Sequence, residues 1–116
     1  MSNVEQSASG TVAEAVGIAL GELGAEHIFG VVGSGNFRMT NALIAAGAGF
    51  TATRHEMGAA CMADAYARST GRLSVVSVHQ GCGLTNSLTG VTEASKSGSP
   101  VIVLAGDTPA WNKGSN

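Results

Sequence analysis

The sequence predicts an α/β protein of three layers, in which helices cover both faces of a parallel sheet. Two patterns along the chain predict it. Short runs of apolar and β-branched residues alternate with longer helical patterns, and a glycine-bearing or polar loop follows most of these runs. Such alternation favours right-handed βαβ crossovers. At 116 residues the chain has the size of one domain.

The first predicted helix begins at a capping box formed by Thr11 and Glu14. Apolar residues then recur at helical spacing, at Val12, Val16, Leu20 and Leu23. Gly24 is expected to end this helix, since glycine adopts the left-handed conformation common after a last turn. A short apolar strand is predicted over residues 27–32.

A second helix is predicted over residues 36–46, with Asn36 as its cap. A second short strand follows over residues 50–53. The alanine-rich segment 57–69 is predicted to be helical, and Gly71 to end it.

The strongest strand pattern is the β-branched run over residues 73–78, which suits a buried parallel strand. A glycine-bearing loop is expected over residues 79–83 and a helix over 85–97. Pro100 then precedes a fourth strand over residues 101–105.

Four strands would make a thin sheet, so we expect the domain to be incomplete at its carboxyl end. Residues 1–10 are predicted to be a flexible tail because they are polar and lack a helical or strand pattern. Residues 11–116 are then the folded domain.

Charge and composition exclude several functions. The formal net charge is −2, and no run of Lys or Arg occurs, so neither a nucleic-acid partner nor a membrane partner is expected. The beginning of the chain has no signal-peptide pattern. Cys61 and Cys82 have no metal-ligand spacing, which favours a reducing, cytoplasmic location. We expect Cys61 to lie in the core and Cys82 to be a small loop residue.

The candidate site lies where the predicted strands end. In open parallel sheets, ligands bind outside the carboxyl ends of the strands. Three loops rich in glycine or polar residues fall there, at residues 33–35, 54–56 and 79–83. An acid, two histidines and two glycine loops at one rim indicate a binding or catalytic cleft.

The residues alone leave two interpretations of each candidate group. The Glu56 carboxylate either caps a helix or projects into the cleft as a proton donor. His79 either makes a satisfied hydrogen bond or acts as a general acid or base. His55 is predicted to be structural.

Two other classes of function remain open at this level. Gly30, Gly33, Gly35 and Glu56 faintly match a dinucleotide-binding pattern, although the glycine spacing is reversed. The chain would then be a non-catalytic nucleotide- or cofactor-binding module. A dimerisation module that uses the small-residue helix over residues 57–68 is the other alternative.

Four segments carry a family resemblance. Residues 54–68 (Arg-His-Glu-x-Gly-Ala-Ala-x-x-Ala-Asp-x-Tyr-Ala-Arg) resemble the catalytic-glutamate segment of acetolactate synthase and related thiamine-diphosphate enzymes. Residues 29–36 and 79–86 resemble two further loops of that family, and residues 100–109 its following strand. The resemblance covers residues 11–110 and identifies the chain as similar to the amino-terminal pyrimidine-binding domain.

This resemblance implies that Glu56 contacts N1′ of the aminopyrimidine ring of thiamine diphosphate and activates the cofactor. The substrate would be a 2-keto acid, which the enzyme decarboxylates or ligates. His79 would be a second catalytic residue. The implied cofactor-binding residues are Gly33, Ser34, Glu56, Gly81, Gly83 and Asn86.

The family holds Mg²⁺ and the diphosphate through a Gly-Asp-Gly segment on a separate domain, and no such segment occurs in this sequence. The resemblance therefore implies no metal ligand in this chain. It implies instead a homo-oligomer or a partner subunit that supplies the metal-binding domain. FAD is a further cofactor that the sequence leaves open.

The loop at residues 79–83 departs from acetolactate synthases, which carry a hydroxyl residue where His79 stands. A histidine at this position is similar to benzoylformate decarboxylase, in which it serves as a proton carrier. A decarboxylase and a carboligase other than acetolactate synthase both remain open.

Overall fold

The computed structural model describes residues 10–112 and 114. Residues 1–9 of the predicted tail lie outside the described residues. Within the described part, helices and strands alternate as α1 (Val12–Glu22), β1 (His27–Gly30), α2 (Phe37–Ala45), β2 (Gly49–Ala52), α3 (Glu56–Thr70), β3 (Ser74–Val78), α4 (Cys82–Lys96), β4 (Val101–Ala105) and a 3₁₀ turn (Ala110–Asn112). The predicted α/β class is confirmed.

The four strands form one parallel sheet in the order β2-β1-β3-β4. From β1 the chain crosses to β2 on one side, whereas from β3 it crosses to β4 on the other. The connections therefore diverge between β1 and β3. A crevice opens at such a switch point, outside the carboxyl ends of the two strands, and ligands bind there in open α/β sheets.

Alternate residues of the central strands pack on opposite faces of the sheet. Ile28 and Val75 belong to a core with residues of α1 and α2, which include Leu20 and Leu43. Their neighbours Phe29 and Val76 belong to a second core, with α3 and α4 residues Ala59, Ala60, Ala63 and Val91. The period of two along a strand produces this division. The predicted three-layer arrangement is thus confirmed.

Two element boundaries differ from prediction by more than one residue. β1 ends at Gly30, because the Val31 carbonyl accepts a hydrogen bond from the Asn36 side chain (3.1 Å) and not from a neighbouring strand. α4 begins at Cys82, three residues before the predicted position, because Gly81 turns the chain with φ 67°. The predicted loop over residues 79–83 is therefore wrong in its last two residues.

Val12 and Leu23, the two ends of the apolar series that predicts α1, are 78% and 68% exposed, since the buried face of the helix centres on Gly17 and Leu20. One prediction about a buried residue is wrong. Cys61 is exposed, because α3 turns its alanines towards the sheet and α4. No helix in the described part of the chain has the length and apolar character that a membrane span requires.

Candidate functional site

The first and third predicted loops meet at the crevice between β1 and β3. The backbone N–H of Gly35 donates a hydrogen bond to Nδ1 of His79 at 3.0 Å. The His79 side chain is half-buried and lies beside Gly33 as well. The strand order thus joins a loop after β1 to the residue directly after β3.

A buried polar network holds the first loop in shape. The Asn36 side chain accepts from the Gly33 N–H at 2.8 Å and donates to Ser77 Oγ at 3.1 Å. Thr40 Oγ1 shares a 2.8 Å hydrogen bond with Ser77 Oγ. Asn36 precedes α2 as predicted, but its side chain makes no capping bond to that helix.

Ser77 and Thr40 were not predicted as part of the site. Both are fully or almost fully buried, where an unpaired hydroxyl would be costly. A serine in the middle of the β-branched run of β3 is the signal in the sequence, because such a hydroxyl needs a partner.

Glu56 is the first residue of α3 and is half-buried. Its Oε2 accepts a hydrogen bond from Nδ2 of Asn86 on α4 at 3.1 Å. The helix cap is made by His55 instead, whose Nδ1 accepts from the Met57 N–H at 3.0 Å. The structural role predicted for His55 is confirmed, and the interpretation of Glu56 as the cap is wrong.

The remaining predicted cofactor-binding residues lie at the same rim in different settings. Ser34 and Gly81 are exposed. Gly83 is buried in the first turn of α4, where a Cβ would lie 3.2 Å from Cβ of His79. Asn86 binds Glu56 and lies one turn further along α4. Two groups result: His79 with the first loop, and Glu56 with Asn86.

The structure has a cavity of about 190 Å³ near this rim, lined by Gly35, Asn36, Met39, Ser77, Val103, Leu104, Ala105 and Gly106. Neither Glu56 nor His79 lines it. Gly35 and Asn36 of the first loop do line it, so the cavity adjoins the group around His79. Among residues 10–112 and 114, no three His, Cys, Asp or Glu side chains lie close enough together to hold a metal ion.

The carboxyl half of the 54–68 segment forms an ion-pair network. Arg68 donates two hydrogen bonds to the buried Asp64 (2.9 and 2.7 Å) and one to Glu93 of α4. Ser99 donates a further hydrogen bond to Asp64. The bonds from Arg68, and then that from Ser99, hold the pKa of Asp64 below its usual value. Asp64 raises the pKa of Arg68 in turn. These residues join α3, α4 and the turn before β4.

Comparison with known proteins gives a consistent picture. The family described as thiamine pyrophosphate enzyme, N-terminal TPP binding domain, matches residues 10–116. The chain is 42% identical over 84 residues to the acetolactate synthase large subunit of Buchnera aphidicola subsp. Schizaphis graminum, covering 72% of this chain and 15% of that protein. It is 41% identical over 95 residues to acetolactate synthase of Bacillus subtilis (82% and 17%).

A relative with a different name is sulfoacetaldehyde acetyltransferase of Alcaligenes xylosoxydans xylosoxydans. It is 36% identical over 91 residues, covering 78% of this chain and 15% of that protein. The chain thus spans only about a sixth of the length of these relatives.

Proposed function

Because the chain belongs to the family of thiamine pyrophosphate enzymes, as their N-terminal TPP-binding domain, we propose that residues 11–116 bind the aminopyrimidine ring of this cofactor. Thiamine pyrophosphate is the same compound as thiamine diphosphate. The observation that carries the proposal is the Glu56 carboxylate, which Asn86 holds at the carboxyl edge of the sheet. In this proposal Glu56 is the group that activates the cofactor.

The setting of Glu56 fits a cofactor acid. Asn86 is a neutral donor, so it orients Oε2 without compensating the charge of the carboxylate. Among the described residues, Oε1 has no hydrogen-bond partner, so it can exchange a proton with a ring nitrogen. Thiamine diphosphate supplies, when bound, a carbon nucleophile and an electron sink for reactions of 2-keto acids. The task of Glu56 is to hold a proton at N1′ of the aminopyrimidine ring.

The test is the Glu56→Gln variant of the intact protein, assayed with 2-keto acids, thiamine diphosphate, Mg²⁺ and FAD. The amide keeps the shape of the side chain but cannot transfer the proton. We expect kcat to fall by about 10²–10⁴-fold, the usual contribution of a positioned acid or base. The thermal unfolding midpoint should stay unchanged.

The matched control is Glu22→Gln, at an exposed position at the end of α1. It makes the same chemical change away from the rim and should leave kcat unchanged. Near-normal turnover of Glu56→Gln would contradict the proposed role of Glu56.

We further propose that Mg²⁺ and the diphosphate are held by another domain or by a partner subunit. The absence of a Gly-Asp-Gly segment supports this, as does the short span of the chain relative to its relatives. The substrate proposed for the whole protein is a 2-keto acid that is decarboxylated or ligated. Two relatives carry the name acetolactate synthase, which supports this class.

A homo-oligomer is part of the same proposal. α3 and α4, which carry Glu56 and Asn86, also expose large apolar side chains, namely Met57, Met62, Leu84 and Leu88. Apolar side chains gathered on two adjacent helices favour a protein interface. The cytoplasmic location expected from the cysteines stays a prediction; both thiols are free and exposed.

A further inference from the structure

We infer that His79 acts as a neutral hydrogen-bond donor, through Nε2–H, to an oxygen of the bound substrate, and that Gly35 holds the imidazole in this form. The inference rests on the proposed function and gives its site a second chemical group. It replaces the predicted proton-carrier role with an electrostatic one.

The hydrogen bond to Gly35 determines the tautomer of the ring. A backbone N–H can only donate, so Nδ1 of His79 must be the acceptor in this 3.0 Å contact. An acceptor nitrogen carries no proton. The neutral ring therefore has its single proton on Nε2.

The same contact prevents proton relay through the ring. A neutral imidazole with its proton on Nε2 can take up another proton only at Nδ1, and there the Gly35 N–H occupies the lone pair. Loss of the Nε2 proton would leave an anionic ring. The arrangement thus allows Nε2–H to polarise an oxygen atom, as neutral histidines do in some enzymes, without changing its protonation state.

Close packing keeps the ring in this orientation. A Cβ on Gly35 would lie 2.4 Å from Nδ1 of His79 and 1.9 Å from Oε1 of Gln80, so only glycine fits there. The Gln80 Oε1 is buried and has no partner among the described residues. Gly83 packs close to Cβ of His79, where an added Cβ would lie 3.2 Å away. A turn of the ring would break its hydrogen bond to Gly35.

The donor side of the ring is available to a ligand. The His79 side chain is half-buried at the carboxyl edge of the sheet, and Nε2 has no hydrogen-bond partner within residues 10–112 and 114. A directed donor beside a cofactor that reacts with 2-keto acids is suited to the substrate carbonyl or carboxylate oxygen. Negative charge grows on such an oxygen as the carbonyl carbon is attacked.

A matched pair of variants of the intact protein separates the two ring nitrogens. In His79→Gln, the amide N–H reaches the position of Nε2 and keeps a donor that cannot ionise. In His79→Asn, the amide oxygen takes the position of Nδ1 and keeps the bond to Gly35 but loses the distal donor. His79→Ala removes both groups.

We expect His79→Gln to keep kcat within about tenfold of the original protein. In His79→Asn and His79→Ala, kcat should fall by about 10²–10³-fold, as when one donor to a developing oxyanion is removed. An equal loss in His79→Gln and His79→Ala would indicate a proton carrier and overturn the inference. Activity retained in His79→Asn but lost in His79→Gln would indicate a structural role and overturn it as well.

A spectroscopic measurement tests the tautomer without turnover. In the intact protein labelled with ¹⁵N-histidine, the ring signals that disappear in His79→Gln belong to His79. They should show an unprotonated Nδ1 and a protonated Nε2. A proton on Nδ1, or on both nitrogens, would overturn the inference. This result does not depend on Glu56, so a failure of the proposed function remains distinguishable.

Discussion

Glu56 and His55 are adjacent in the chain and perform different tasks. His55 has an extended backbone (φ −148°, ψ 145°), and its ring turns back to cap α3. The helix therefore does not need the carboxylate of Glu56, which reaches across to Asn86 on α4. At the scale of single residues, His55 satisfies a free N–H group at the start of α3, and the Glu56 carboxylate is therefore available for chemistry.

Asn86 provides a prediction at this scale. Asn86→Ala removes the donor to Glu56 Oε2 and should lower kcat by about 10–150-fold, since hydrogen bonds to charged groups contribute about 1.5–3 kcal/mol. Asn86→Asp should lower it further, because two carboxylates about 3 Å apart repel each other. Turnover at saturating thiamine diphosphate is the measurement.

Two comparisons make this prediction specific. Asn41→Ala, at an exposed position on α2, should have no effect on turnover. In the Glu56→Gln background, Asn86→Ala should lower kcat by a much smaller factor than it does alone, because the two residues act together. Full additivity would show that Asn86 does not act through Glu56.

At the scale of elements, the helices α3 and α4 determine how Glu56 meets its partner. The buried face of α3 is made of alanines, and Gly90 of α4 packs directly on Ala60. Small side chains let the two helices approach closely. The ion pairs of Arg68 with Asp64 and Glu93 join α3 to α4 nearer their carboxyl ends. The helices are thus attached along their length.

Gly90→Ala tests this close contact. The added Cβ would lie 2.5 Å from Cβ of Ala60 and 3.0 Å from the backbone nitrogen of Cys61, so one helix must move. Overpacking of this kind costs about 1–3 kcal/mol. That exceeds the gain in helix propensity, which is about 0.5–1 kcal/mol. The free energy of unfolding in urea should therefore fall.

Gly21→Ala is the matched control in α1. Its Cβ would lie 3.8 Å from Cβ of Ala46, an ordinary van der Waals contact. Only the gain in helix propensity remains, so the protein should become more stable by about 0.5–1 kcal/mol. If both glycine variants were stabilised, the close packing of α3 on α4 would be refuted.

At the scale of the whole molecule, the sheet separates two cores. The α1 and α2 core supports the first loop through α2, and the α3 and α4 core supports Glu56 and Asn86. Of the four strands in the described part of the chain, the central β1 and β3 are the two that contribute buried side chains to both cores. The crevice therefore lies at the end of the two most buried strands of the sheet.

The Asp64 network predicts how the stability of the molecule depends on pH. The pKa of Asp64 is lowered by folding, so its contribution is complete above the unfolded value of about 3.9 and is lost as the pH falls through the folded value. Asp64→Asn should therefore be less stable at neutral pH and lose less stability in acid. Urea unfolding from pH 7 down to pH 3 would measure both effects.

Glu22→Gln, at an exposed carboxyl group outside this network, serves as the comparison. It should reproduce the acid dependence of the original protein. An acid dependence in Asp64→Asn that equals that of Glu22→Gln would show that the network does not control the response to pH.

Much of the fold could be predicted because its signals are local. The capping box at Thr11, the αL glycine at Gly71 and the strand Val101–Ala105 all occur as predicted. The errors concern relations between elements. Cys61 is exposed because α3 buries its alanines, and α4 begins early because Gly81 adopts a positive φ. A pattern along the chain predicts neither which face of a helix is buried nor the conformation of a loop glycine.

The sequence by itself determined the α/β class, the positions of the loops and the family, since each depends on residues close together in the chain. Only the tertiary structure decided which side chains meet. His79 contacts Gly35 across 44 positions, and Glu56 contacts Asn86 across 30. The first contact follows from the strand order β2-β1-β3-β4, which places β1 beside β3, and the second from the packing of α3 on α4. Strand order is set by packing of the whole chain, so residues distant in sequence acquire their chemical roles only in the folded state.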